Sequence, residues 1–156
     1  MYKKFDLLVD TFNRNWKKLI IATNTDNKLY KELKEKSQNN IEWKFNASRE
    51  EITDYYANAK AFMFPPEEDF WIVPLEAMAS WTPVIAYWKW GALETVIEGK
   101  TGTFFEEQTV ESLNLAIEKF ESMQFKASEI RKHAEAFDKE KFKKFLREFI
   151  ENKLEK

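Results

Sequence analysis

Two acids with seven residues between them, Glu68 and Glu76, carry the strongest chemical signal in this chain. Glu68 stands in Pro65-Pro66-Glu67-Glu68-Asp69-Phe70, and Glu76 is set among Leu75, Ala77 and Met78. The acids ahead of the helix have a structural reading, with Asp69 as N-cap and the others favouring the positive helix end. Glu76 is harder to place, because a carboxylate in so apolar a helix needs a partner or a ligand. Other chemistries are excluded by composition. There is no Cys, which removes disulfides, thiolate metal sites and a cysteine nucleophile. A single His, His133, removes most metal-binding and triad chemistry. No metal and no cofactor is expected.

The elements that must position these acids alternate between helix-period and short apolar segments. Phe5, Leu8, Val9 and Phe12 fall on one helix face, and Leu19 to Ala22 is a short run of buried-strand character. Leu29, Tyr30 and Leu33 give the next helix its apolar side, and residues 41–45 read as a second strand. Ser48 and Glu51 form a capping box that starts a helix carrying Ile52, Tyr55 and Tyr56. Further strands are expected at 61–64, 83–87 and 103–105, with helices at 70–80 and 91–98 between them. Leu113, Ile117 and Phe120 mark one later helix, and Phe142, Phe145, Leu146, Phe149 and Ile150 another. Strands alternating with helices imply βαβ units, hence an α/β fold: a doubly wound, Rossmann-like parallel sheet of about five strands with helices on both faces. The 156 residues read as one domain, residues 1–156, with C-terminal helices over 109–156. The 126–156 stretch, charged on one side and apolar on the other, is expected to be a helix packing across the domain edge. Its alternative role is as a membrane or partner helix.

The formal charge of −2 gives no basic excess for nucleic acid. No apolar run approaches the length of a membrane span and no secretory leader is evident, so a soluble, cytoplasmic protein is expected. One imbalance stands out: 3 Gly beside 6 Trp and 14 Phe. Average usage would give roughly eleven Gly in a chain of this length.

Glu68-x7-Glu76, within Phe64 to Ser80, resembles the E-x7-E motif of retaining GT-B glycosyltransferases of the group 1 or family 4 type. Thr82-Pro83-Val84-Ile85-Ala86, Gly91-Ala92-Leu93-Glu94-Thr95-Val96 and Gly99-Lys100-Thr101-Gly102 continue the likeness. It spans nearly the whole chain and implies the C-terminal, donor-binding half of a two-domain enzyme acting on a nucleotide-diphosphate sugar. By that resemblance Glu68 would touch the donor sugar near its anomeric carbon, and Glu76 would accept hydrogen bonds from the ribose diol. Lys3 would neutralise the diphosphate, and the amides near Gly91, Ala92 and Leu93 would receive it at a helix N-terminus. Glu94 resembles the acid in that helix's first turn. For Lys3 and Glu94 a plain surface or capping role fits as well.

The departures from the family pattern fall on its glycines. Thr23 and Thr25 replace a Gly-x-Gly, Phe45 replaces a Gly after the second strand, and Trp71 replaces the Gly of a Phe-Gly pair. Trp81 stands before Thr82-Pro83-Val84, and Trp90 precedes Gly91, with Trp88 two residues earlier. Glycine serves such places because the backbone takes φ > 0 or a ligand approaches closely. Trp71, Trp88 and Trp90 are therefore expected to fill the pocket, and Trp81 to end its helix in a left-handed conformation. So many replacements of one residue type point to an engineered or otherwise non-natural variant. The chain as given begins at the turn after the family's opening strand, so that strand, its diphosphate arginine and the N-terminal acceptor domain are expected to be missing. That opening strand is central in the 3-2-1-4-5-6 order. Strands 19–22 and 61–64 are accordingly expected to close up and pair, with strand exchange into a homodimer as the rival. The expectation is a fragment or variant of a donor-binding domain that is inactive alone. The alternative is an aromatic-rich scaffold that keeps only the fold.

Overall fold

A computed structural model describes residues 3–67, 72–89 and 91–154. Helices and strands alternate over most of the chain. The order is α1 (Phe5–Asn15), β1 (Leu19–Thr23), α2 (Lys28–Lys36), β2 (Ile41–Phe45), α3 (Arg49–Asn58), β3 (Phe62–Phe64) and α4 (Ile72–Ala79). There follow β4 (Val84–Tyr87), α5 (Ala92–Thr95), β5 (Gly102–Phe105), α6 (Val110–Glu121), α7 (Ala127–Ala134) and α8 (Lys139–Leu154). The periodic helix face of α1 is buried as its spacing requires, through Leu8, Val9 and Phe12. At α3 the capping box is complete. Ser48 N–H donates to Glu51 Oε2 at 2.7 Å, and Glu51 N–H donates to Ser48 Oγ at 3.2 Å.

The strands are parallel within their ladders but form two sheets. Leu19 to Thr23 pair with Ile41 to Phe45, and separately β4 lies between β3 and β5, with Val84 opposite both Phe62 and Gly102. Among the described residues no ladder joins β1 to β3. The expected closure of these two strands therefore does not occur. The reason lies in the helices. Leu8 and Phe12 of α1, Leu113 and Ile117 of α6, Leu19 and Ile21 of β1, and Ile85 and Phe105 of the second sheet share one apolar core. Two polar contacts pin α1 to α6, Arg14 to Glu111 and Asn15 to Asn114, and Lys17 just beyond α1 adds a third to Glu121. Sliding β1 onto β3 would need a shift of about one strand spacing, roughly 4.8 Å. That shift would pull α1 off α6. A second core, on the other face of β3-β4-β5, gathers Leu75 and Met78 of α4 with Ala92, Ile130 and Ala134.

Of the 126–156 stretch, α7 packs through Ile130 and Ala134, whereas the last helix departs from expectation. The described side chains of its apolar stripe (Phe142, Phe145, Leu146, Phe149 and Ile150) are exposed, and α8 has no buried residue among those described. It touches the short 3₁₀ turn Glu135–Phe137 that precedes it instead of packing across a domain edge.

Candidate functional site

Because β3 and β4 are parallel neighbours, the helices that follow them begin at the same edge of their sheet. That edge is where ligands bind in such folds. The residues expected there are Glu76 on α4 and Gly91 to Glu94 at α5. Glu68, Trp71 and Trp90 lie outside the described residues, and with them the spacing of the two acids across the cleft.

Glu76 is exposed, which corrects the expectation of a buried carboxylate. The apolar letters around it do not surround it in space. Pro74, Leu75, Ala77 and Met78 face the core, while Ile72, Glu76 and Ala79 form the opposite stripe at helical spacing. Water, not protein, solvates the carboxylate, so no internal partner is needed. Its charge nevertheless reaches Tyr56 on α3. Burial pushes the Tyr56 phenol up to about 12, and the negative charge of Glu76 adds to the shift. The Tyr56 ring stands edge-on to Phe62 with centroids 5.4 Å apart. Sequence reading did not single out Tyr56 for this environment; only its place on the inner side of α3 pointed to it.

Gly91 precedes α5 with φ −59°, an ordinary helical value, so no left-handed conformation calls for glycine there. Gly91 and Ala92 are buried, whereas Leu93 and Glu94 are exposed. The helix is a single turn, Ala92–Thr95, shorter than the expected 91–98. The lone histidine, His133, is structural. Its Nε2 lies 2.8 Å from the Thr95 carbonyl oxygen and ties α7 to α5. Lys3 is half-buried ahead of Lys4, which leads into α1 with φ 53° and no side-chain cap. Asp6, in the first turn of α1, buries Oδ1 without a hydrogen-bond partner among the described residues. The positive helix end offsets that charge.

Among the aromatic residues, Trp88 is half-exposed and tilted against Phe104, with centroids 5.7 Å apart. Trp81 takes φ 64° as its position predicts. Its N–H donates to the Met78 carbonyl and the Thr82 N–H donates to the Ala77 carbonyl, both at 3.0 Å. Those two bonds are the Schellman pattern, with Trp81 in the left-handed place. At β2 the expectation moves by one residue. Phe45 completes the strand, and Asn46 takes the left-handed conformation at φ 53°. Asn tolerates that region better than most residues. Thr23 and Thr25 have no positive φ, so the glycines they replace would have served close approach rather than conformation.

Among the described residues no cluster of three His, Cys, Asp or Glu could hold a metal ion, and no helix is long and apolar enough to cross a membrane. A surface depression of about 560 Å³ lies along α3 among Arg49, Glu50, Thr53, Asp54 and Ala57. It contains none of the expected site residues.

Comparison with known proteins places this geometry. Sucrose-phosphate synthase from Thermosynechococcus elongatus shares the fold over 97% of this chain at a TM-score of 0.81 and 22% identity, and this chain spans 43% of it. The lipopolysaccharide outer core galactosyltransferase WaaB gives 0.81 at 17% identity over 98% of this chain, which spans 46% of it. HepE from Anabaena, solved with UDP and glucose, gives 0.78 at 21% identity over 97% of this chain and 45% of its own. By sequence, alpha-1,3/1,6-mannosyltransferase alg2 of Schizosaccharomyces pombe is 32% identical over 98 residues. That match takes in 62% of this chain and only 17% of the mannosyltransferase. Residues 1–144 fit the glycosyl transferases group 1 family, and the chain belongs to that family.

Proposed function

We propose that the chain is a donor-binding domain for a nucleotide-diphosphate sugar, one half of a sugar-transferring enzyme, and that it does not transfer sugar alone. The observation that carries this reading is Glu76. A solvated carboxylate on α4, the helix that follows β3, can accept two hydrogen bonds from the vicinal hydroxyls of a ribose. Gly91, Ala92 and Leu93 would present backbone amides to the diphosphate, Lys3 would add a positive charge, and Glu94 would hold the first turn of α5. Glu68 would face the sugar where positive charge develops at the anomeric carbon, as a positioned carboxylate can. Solved relatives with UDP and glucose support the ligand class.

In the second reading the domain is a scaffold that keeps the fold without the ligand. It draws on the tryptophans expected at the mouth and on the half-exposed Trp88. Titration of UDP- and GDP-sugars, followed by calorimetry and tryptophan fluorescence, separates the two. For the chain as written we expect a dissociation constant above about 1 mM, less than roughly 4 kcal/mol of binding. Trp71→Gly with Trp90→Gly should tighten it at least tenfold, and adding Glu76→Ala should cancel the gain. A micromolar constant without the glycines would refute occlusion. No gain with them would leave the scaffold.

A further inference from the structure

The described tryptophans fall into two kinds by backbone conformation. Trp43, in β2, is used as a tryptophan: its indole N–H donates to Ser37 Oγ at 2.8 Å and its ring meets Tyr30 edge-on at 5.1 Å. Trp16 and Trp81 are different. Each follows a helix closely, each takes positive φ (59° and 64°), and each donates its backbone N–H back into the last turn. Their side chains are 63% and 47% exposed. That combination is the signature of a helix-ending glycine, whose missing Cβ makes the left-handed region free of strain. A large exposed indole uses neither the conformation nor the site. Arg131 does stack over Trp81 at 4.4 Å, but the same guanidinium is already held by Glu135 at 3.1 Å. Trp71 and Trp90 stand, by the family likeness, at two further glycine positions. The chain has 3 Gly and 6 Trp, against an expectation of roughly eleven Gly.

We infer that residues 16, 71, 81 and 90 are translated as glycine in the cell that makes this protein, through a UGA triplet whose meaning differs between genetic codes. The inference rests on backbone conformation at 16 and 81. At 71 and 90 it rests on the donor-binding reading above. Its consequence is functional: with hydrogen atoms in place of two indoles, the mouth of the donor site is open rather than filled, and a diphosphate can approach the main chain. One residue type is then replaced at several motif positions without any loss of the motif acids.

The gene sequence and peptide mass spectrometry of the protein from its own cells test this directly. We expect UGA at positions 16, 71, 81 and 90, UGG at 43, and peptides that carry glycine at those four positions and tryptophan at 43. UGG at 16 and 81, or tryptophan in the peptides covering them, overturns the inference. A second measurement is independent of the producing cell. In the expressed chain, Trp16→Gly with Trp81→Gly should unfold at higher urea than Trp16→Ala with Trp81→Ala, and the reverse order counts against glycine at both. Neither readout involves a nucleotide. A chain with all four glycines that binds no nucleotide sugar would therefore refute the donor-binding reading and leave the inference at 16 and 81 standing.

Discussion

Trp81 offers a sharp energetic test, because glycine and alanine should there exchange their usual order. Inside a helix glycine is less stable than alanine by roughly 0.5–1 kcal/mol, from backbone entropy. At φ 64° the balance changes. A residue with a Cβ costs about 1–2 kcal/mol in the left-handed region, and alanine keeps that cost while glycine removes it. Replacing Trp81 also removes the Arg131 stack, worth about 0.5–1 kcal/mol at an exposed site. Trp81→Ala should therefore lose roughly 0.5–1 kcal/mol, while Trp81→Gly should lie within about 0.5 kcal/mol of the parent. With a urea dependence of about 2 kcal/mol per molar, the two variants should differ in midpoint by roughly 0.3–0.5 M. Urea unfolding followed by far-UV circular dichroism resolves that difference, and an Arg131→Ala background removes the stacking contribution from the comparison. Alanine equal to or more stable than glycine would refute the assignment of a strained left-handed residue at the end of α4.

Three further expectations follow from particular contacts. A Cβ on Gly102 would lie 2.0 Å from the Val84 carbonyl oxygen in the neighbouring strand, so Gly102→Ala should destabilise by about 3 kcal/mol in urea unfolding. Tyr56, pushed up to about 12 in the fold against about 10 unfolded, contributes stability that is full below pH 10 and lost as pH rises toward 12. The ceiling is about 2.7 kcal/mol for two pH units, reduced because the side chain is only partly buried, and Tyr56→Phe should flatten the alkaline limb relative to the parent. On α8, Phe145→Ser with Phe149→Ser should change stability by less than about 0.5 kcal/mol, since both rings are exposed, and a larger loss would mean that the stripe is covered.

Much of this architecture was readable from residue patterns, and the failures have physical causes. Period and capping were sufficient for α1 and α3, because Leu8, Val9 and Phe12 lie on one face and Ser48 and Glu51 satisfy each other's backbone. The left-handed turn at Trp81 was readable because a family glycine stands at that helix end, and the backbone keeps the conformation with Trp in its place. Glu76 was misjudged because neighbours in sequence are not neighbours on a helix surface. For α8 the spacing correctly marked an apolar stripe, but amphipathicity states that a face is apolar and not what covers it. The alternation of apolar segments placed α5 but overestimated its length. Val96 already leaves the helix with φ −101° and ψ 131°.

The gap between the two sheets ties these points to the candidate site. A strand's preference for a partner is local, worth a few hydrogen bonds, whereas the position of β1 is set by a helix layer that reaches across both sheets. Val9 and Leu113 are fully buried in that layer, and Phe12 and Ile117 nearly so. Exposing even two such side chains costs about 3–6 kcal/mol. A three-residue strand such as β3 offers only about three ladder hydrogen bonds at about 1 kcal/mol each in return. Packing therefore outweighs pairing, and the sheets stay apart. Within the other sheet β3 and β4 pair in register, and α4 and α5 follow them from one sheet edge although no ladder reaches β1. The edge from which α4 and α5 start thus belongs to the three-stranded sheet, and it does not require the seam to close.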